Sequence, residues 1–139
     1  MNNVNIDKNT FNQIKKQVMN HYPYECCGVL LRKRDEEKIN EIIPAKNNAS
    51  KDALNRFFEI DPLFLYRIEI EAESKGCEII GFYHSHHDKK AITSKEDEKH
   101  MIPDNIYIIV SVTDSGIYEI KAYYKKDPEE NVREIKVDI

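Results

Sequence analysis

Three of the five histidines of the chain lie within four residues, at His84, His86 and His87. They follow directly after an apolar run that has the pattern of a strand. Side chains i and i+2 of a strand point to the same face, so we expect His84 and His86 to present two imidazoles side by side, with Ser85 facing away. Two neighbouring imidazoles can bind one zinc ion.

Ser94 and Asp97 follow after a polar loop, three residues apart at the start of a short helical pattern. This spacing puts both side chains on one helix face, which can approach the histidine pair. Two histidines and one carboxylate would leave the fourth zinc position for water, whose pKa the metal lowers from about 15.7 towards about 7. Such hydrolase chemistry also needs a proton carrier and an oxyanion donor, for which Glu25 and Ser94 are the candidates.

These residues also have structural interpretations. An isolated histidine is more often structural or solvated than a metal ligand. The runs Thr93-x-x-Glu96 and Ser94-x-x-Asp97 both fit a helix capping box, which would account for Ser94 and Asp97 without catalysis.

The cysteines are Cys26, Cys27 and Cys77. An odd number with two adjacent members does not fit a disulfide framework, so we expect reduced thiols. A structural zinc site built from these cysteines and the histidines is an alternative, but the spacings C-x2-C and C-x4-C are absent. Buried thiols are the simpler interpretation.

Two helices and seven strands are predicted to position the candidate residues. Apolar residues at i, i+3, i+7 and i+8 from Phe11, after a possible cap at Thr10, predict an amphipathic helix that ends before Pro23. A second helix should begin at Asp61-Pro62 and stop at Gly76. Residues 44–55 form a polar loop pattern, and residues 114–116 a hairpin turn. Strand patterns cover residues 28–31, 39–43, 57–60, 79–83, 106–112, 118–124 and 134–137.

This order of elements predicts an α/β fold in which helices flank a mixed β-sheet. No repeat or composition shift divides the 139 residues, so we expect one domain over residues 1–139. A net charge of −4 with both signs interspersed argues against binding to nucleic acid. No signal peptide and no apolar run of about 18 residues is evident, so we expect no membrane span and a cytoplasmic location.

The window from His84 to Asp97 resembles the metal-binding motif of the JAMM metalloprotease family, also called MPN+ or JAB: H-S-H, seven residues, S, two residues, D. Even the four positions His84, His86, Ser94 and Asp97 alone would match by chance at on the order of one in 10⁵ starting positions. The segment PYECCGVL at residues 23–30 also matches P-x-E-x-C-G-x-L, in which prokaryotic members carry a remote glutamate. With the F-x-I-D-P run at residues 58–62, the resemblance covers essentially the whole chain.

The resemblance implies a curved, JAB/MPN-like sheet in a cytidine-deaminase-like three-layer fold. It implies one zinc ion per chain, bound by His84, His86 and Asp97. It also implies that Glu25 is the general acid/base and that the Ser94 hydroxyl stabilises the tetrahedral intermediate.

One departure from the family pattern is visible. Prokaryotic members commonly carry proline directly after the second ligand histidine, whereas this chain has His87. Proline would have stiffened the turn, so the departure concerns the rigidity of the loop. Adjacent residues of an extended segment point apart, so we expect His87 to be a solvated loop residue and not a further ligand. Lys89 and Lys90 are most simply a solvated loop face.

Members of this family cleave amide or isopeptide bonds at the C-terminal Gly-Gly of ubiquitin or ubiquitin-like proteins, which gives the substrate class by analogy. Only seven residues separate Asp97 from Asn105, which leaves little room for the insertions of members that act on polyubiquitin. The short form resembles the prokaryotic group associated with ubiquitin-like sulfur carriers, from whose Gly-Gly tail a C-terminal Cys or short peptide is removed. We therefore expect a zinc-dependent peptidase that acts on a sulfur carrier.

Two alternatives share most of these features. A deubiquitinase-like isopeptidase would use the same site residues on protein conjugates, and a scaffold would bind a ubiquitin-like partner without cutting it. The tail would bind as an extended strand beside the strand that ends at His84 or beside the loop at residues 44–55. The sequence leaves open whether the chain is a monomer or a homodimer.

Overall fold

The structure is a computed structural model that describes residues 1–47 and 58–139. Its elements in chain order are β1 (Asn3–Ile6), α1 (Lys8–His21), β2 (Cys27–Lys33), β3 (Lys38–Ala45), α2 (Pro62–Ser74), β4 (Cys77–His87), α3 (Lys95–His100), β5 (Asn105–Thr113), β6 (Gly116–Lys125) and β7 (Arg133–Asp138). None of the described helices is long and apolar enough to cross a membrane.

Both predicted helices are present. The cap prediction for α1 was wrong, because Asp7 is the N-cap and its carboxylate accepts from the backbone N–H of Thr10 at 3.4 Å. Aspartate caps better than threonine, and Thr10 is buried within the helix. The prediction for α2 is confirmed: the Asp61 side chain caps it, Pro62 occupies its first turn, and Gly76 follows its end with φ +73°.

Six of the seven predicted strands are confirmed within a few residues. The strand predicted at residues 57–60 was wrong for residues 58–60, which have no regular structure, while residue 57 lies outside the described residues. The backbone N–H of Glu59 donates to the Asn47 side chain at 3.0 Å instead of to a strand. Of the loop predicted at residues 44–55, residues 44 and 45 belong to β3 and residues 48–55 are not described.

The strands form one mixed sheet in the order β1-β3-β2-β4-β5-β6-β7. The pairs β1/β3, β4/β5 and β1/β7 are parallel, and the others are antiparallel. Because β1 pairs with β7, the sheet closes on itself, and the predicted mixed, curved sheet is confirmed. The four-residue β1 was not predicted from the sequence, and the three-layer description stays a prediction.

Two apolar cores lie on opposite faces of the sheet. Ile14 and Val18 of α1 belong to one core, and Ile68 and Ala72 of α2 belong to the other. The residues of β5 alternate between them, with Ile106, Ile108 and Val110 in the first and Tyr107 and Ile109 in the second. Since successive strand residues point to opposite faces, the helices flank the sheet as predicted.

Gly28 leaves space for the side chain of Tyr83, the residue before His84. The Tyr83 ring lies against the Gly28 backbone, where a Cβ would overlap it. The Tyr83 hydroxyl donates to the side chain of Gln17 on α1. The glycine thus lets β2, β4 and α1 pack together just before His84.

Candidate active site

The two histidines that follow the apolar core of β4 face one another. His84 and His86 are both buried, and their Nε2 atoms are 3.1 Å apart. Two nitrogens bound to one tetrahedral zinc ion at 2.0–2.1 Å would be separated by about 3.3 Å. The side-by-side arrangement that the strand period predicted is therefore present, and its spacing fits two ligands of one metal ion.

Neighbouring groups hold both imidazole rings in place. The Nδ1 atom of His86 lies 2.9 Å from the carbonyl oxygen of Lys90. Because a carbonyl only accepts, Nδ1 carries the proton and Nε2 presents its lone pair, as in histidines that bind metals. The Phe58 ring packs on His84 with 4.7 Å between ring centroids.

Burial favours the neutral form of both histidines. Burial lowers the pKa of His84 well below its ordinary value, and the charges of His86 and Lys89 lower it further. Burial also lowers the pKa of His86, an effect that the nearby negative charges of Glu25 and Asp97 partly oppose. Neutral imidazoles are the form that binds a metal ion at neutral pH.

The pairing of β2 with β4 brings Glu25 to the histidines. Cys27 is the partner of His84 in this antiparallel pair, so residues before Cys27 run beside residues after His84. Ser85 faces away from the imidazoles, as predicted, and its Oγ accepts from the backbone N–H of Cys26 at 2.9 Å. This register places Glu25 beside His86, in agreement with the effect of its charge on that histidine.

Glu25 forms an ion pair that the sequence did not predict. The Nζ atom of Lys89 lies 3.1 Å from Glu25 Oε1, with 42% of the lysine side chain and 19% of the glutamate side chain exposed. Lys89 is an exposed loop residue, as expected, but its ion pair with Glu25 gives it a contact that the sequence did not indicate. No spacing in the sequence links it to Glu25, which is more than sixty residues earlier.

Ser94 and Asp97 form the capping box of α3. Ser94 Oγ accepts from the backbone N–H of Asp97 at 3.0 Å, and Asp97 Oδ2 accepts from the backbone N–H of Ser94 at 2.9 Å. Thr93, the other possible cap, instead donates to Glu98 at 3.1 Å. The box uses neither the hydroxyl proton of Ser94 nor the Oδ1 atom of Asp97, which leaves both for other partners.

The structure brings the predicted metal ligands together only in part. Among the described residues, no group of three or more His, Cys, Asp or Glu side chains is arranged to hold a metal ion. His84 and His86 face each other, whereas Asp97 is turned towards the cap of its own helix.

The cysteines are free and buried, as predicted. Burial raises the pKa of Cys27 to about 12 and also raises the pKa of Cys26. Neither these thiols nor Cys77 belongs to a metal-binding group within the described residues.

Hydrogen bonds hold the loop at residues 88–91, which follows β4. His87, which was expected in the loop, is the last residue of β4. The partly exposed His87 lies beside Asp88, with its Nδ1 atom 3.8 Å from the carboxylate. The loop bonds run from Asp88 N to Val112 O, from Ser111 Oγ to Lys89 O, from His86 Nδ1 to Lys90 O, from Ala91 N to Glu119 Oε1 and from Tyr123 Oη to Ala91 O. The lack of proline therefore does not leave this loop without support.

One of the two expected substrate edges is covered. His84 pairs with Cys27 of β2 on one side and with Ile109 of β5 on the other. A substrate strand has no free edge there, so this alternative was wrong. The other alternative, the loop at residues 44–55, lies mostly outside the described residues.

The chain is similar to proteins that are already known. A family model described as prokaryotic homologs of the JAB domain matches residues 7–124. A desampylase from Haloferax volcanii is 33% identical over 90 residues, which are 64% of this chain and 63% of that protein. The match therefore spans less than two thirds of the relative's length.

Solved structures show the same fold. The solution structure of a protein from Desulfitobacterium hafniense has a TM-score of 0.78 at 22% identity and covers 96% of this chain and 90% of its own. A solution structure from Salinibacter ruber has a TM-score of 0.69 at 24% identity, covering 99% and 90%. A JAB1/MPN domain protein from Archaeoglobus fulgidus has a TM-score of 0.55 at 17% identity, covering 97% of both chains.

Proposed function

The chain belongs to the JAB family in its prokaryotic form, and on that premise we propose that it is a zinc-dependent peptidase. Its substrate would be a ubiquitin-like sulfur carrier, from whose Gly-Gly tail it removes a C-terminal Cys or short peptide. Residues 1–139 would act as one catalytic domain. The proposal is carried by the buried His84–His86 pair with Glu25 beside it, and the similarity to an enzyme named desampylase supports it.

His84, His86 and Asp97 would hold the zinc ion. The two imidazoles have the required spacing and charge state. Asp97 would contribute the carboxylate oxygen that does not cap α3. Bound zinc supplies a water molecule whose pKa is lowered to about 7.

Glu25 would carry the proton between the two halves of the reaction. It accepts a proton from the water as oxygen attacks the carbonyl carbon of the last glycine, and it gives that proton to the leaving nitrogen as the C–N bond breaks. Glu25 lies two residues before β2, and the register of β2 on β4 brings it beside His86, which supports this role. Its Oε1 atom is shielded from solvent, which suits a proton carrier.

Ser94 would stabilise the oxyanion of the tetrahedral intermediate. Its hydroxyl accepts a hydrogen bond within the capping box, so its own proton can be donated to the developing charge. Lys125 Nζ donates to the carbonyl oxygen of Glu98 at 3.0 Å and holds α3 in place. Ser94 can therefore cap α3 and donate to the oxyanion at the same time.

Intact mass spectrometry tests this proposal. A ubiquitin-like sulfur carrier extended by one cysteine after Gly-Gly is incubated with zinc-loaded protein, with and without a chelator, alongside the Glu25→Gln variant. We expect loss of the cysteine only with zinc-loaded wild-type protein. An unchanged mass, with zinc shown to be bound, would contradict the proposal.

A protein conjugate tested in the same way distinguishes the alternatives. Release of the conjugated protein, with the extended carrier left intact, would identify an isopeptidase. Binding of the carrier without hydrolysis of either substrate would identify a scaffold.

A further inference from the structure

Lys89 places a positive charge at the proton carrier of the proposed reaction. Its Nζ atom lies 3.1 Å from Glu25 Oε1. Its backbone carbonyl accepts a hydrogen bond from Ser111 Oγ, so the base of the side chain is held by β5. Lys89 has no role in the mechanism proposed above.

The leaving group of a one-residue extension carries an anion close to its nitrogen. Glu25 must come within about 2.6–3.2 Å of the leaving nitrogen to protonate it. In a single amino acid the α-carboxylate is two bonds from that nitrogen, about 3 Å away. A cation in contact with Glu25 is therefore within reach of this carboxylate.

Other leaving groups do not offer an anion at this position. Each further residue moves the terminal carboxylate away by up to about 3.3–3.6 Å. The leaving amine of an isopeptide is at the end of a lysine side chain, whose carboxyl group lies four methylenes further and is part of a peptide bond. A cation beside Glu25 can thus distinguish a one-residue extension from longer extensions and from isopeptides.

We propose that Lys89 binds the α-carboxylate of a single residue after Gly-Gly and makes the site prefer removal of one C-terminal residue. This inference rests on the proposed function. The substrate carboxylate replaces Glu25 as the partner of Lys89, and Glu25 is released to carry the proton. The Lys89 side chain is 42% exposed, so solvent partly screens its ion pair with Glu25, and a substrate carboxylate can replace Glu25 there.

The test compares carriers that differ only after Gly-Gly: one cysteine as the free acid, one cysteine as the carboxamide, and a three-residue extension. Wild type, Lys89→Met and Lys89→Arg are assayed with zinc, and Lys16→Met, which removes a charge from the exposed side of α1, is the control. We expect wild type to favour the acid over the amide in kcat/KM by roughly 10- to 100-fold, mostly through KM. Lys89→Met should bring this ratio close to one, while Lys89→Arg and Lys16→Met should keep it.

Two results would overturn the role of Lys89: equal rates for acid and amide in wild type, or a preference that survives in Lys89→Met. Neither result touches the proposed function, because hydrolysis still occurs. If wild type cleaves none of the carriers, the proposed function fails instead. In that case, calorimetry with metal-free protein tests the role of Lys89. We expect the acid to bind more tightly than the amide in wild type and this difference to be lost in Lys89→Met. Equal binding of acid and amide by wild type would contradict the role.

Discussion

Ser85 and Cys26 are joined by two hydrogen bonds: Cys26 N–H donates to Ser85 Oγ at 2.9 Å, and Ser85 N–H donates to the Cys26 carbonyl at 2.9 Å. Ser85 is fully buried and points away from the imidazoles on either side of it. The pair therefore ties the segment that carries Glu25 to the strand that carries the histidines.

Replacing Ser85 with alanine should loosen this connection. The variant leaves a buried backbone N–H of Cys26 without its acceptor, which costs about 1–3 kcal/mol of unfolding free energy. We expect lower turnover with zinc retained, because Glu25 is less well positioned. Thermal unfolding, zinc content and the carrier assay measure the three effects. Ser115→Ala in the exposed hairpin is the control, and equal behaviour of both variants would contradict the prediction.

Asp97→Asn separates the metal-binding role of Asp97 from its capping role. An asparagine oxygen can still accept from Ser94 N–H, so the stability of the metal-free protein should change little. We expect zinc affinity to fall by more than the roughly 10- to 100-fold that loss of a supporting residue costs. Zinc titration against a competing chelator checks this. Unchanged affinity would mean that Asp97 only caps α3.

Ser94 can be examined in the same way with three substitutions. Alanine removes both the cap and the hydroxyl and lowers the unfolding free energy by about 1 kcal/mol. Glycine also removes the hydroxyl but lowers it by only about a few tenths of a kcal/mol. Both should lower turnover by roughly 10² to 10³ with zinc retained, and threonine should keep activity. Near-normal turnover in Ser94→Gly would assign Ser94 to the cap alone.

Glu25→Gln should give a zinc-loaded but nearly inactive protein. The amide cannot accept and return a proton, but it is close in shape to the carboxylate. The ion pair that it loses is partly screened by solvent, because 42% of the Lys89 side chain is exposed, so unfolding should shift little. Single-turnover assays and zinc analysis measure both effects, with the exposed Glu129→Gln as the matched control. Substantial remaining hydrolysis would exclude Glu25 as the proton carrier.

The buried cysteines should be unreactive in the folded protein. A pKa of about 12 for Cys27 means that about one thiol in 10⁴ is ionised at pH 8, and the reactive thiolate fraction rises about tenfold per pH unit up to that pKa. We expect slow reaction with a thiol reagent at pH 8 and rapid reaction of all three cysteines in denaturant. A fast-reacting thiol in the folded protein would reopen a role in sulfur chemistry.

Short-range patterns in the sequence determined much of the fold and part of the site. Asp61-Pro62 and Gly76 predicted both ends of α2, because capping and backbone preferences act within one helical turn. The period of two along a strand was sufficient to predict that His84 and His86 share a face. Such features depend on residues close together in the chain, so the sequence alone contains them.

Only the tertiary structure decided which distant groups meet. Glu25 reaches the histidines through the register of β2 on β4, and Lys89 reaches Glu25 across the same junction. The closure of the sheet by β1 and β7 likewise joins opposite ends of the chain. Asp97 had two possible partners, and the structure turns it towards the cap of α3. Contacts of this kind depend on packing and strand register over many residues, which no local pattern encodes.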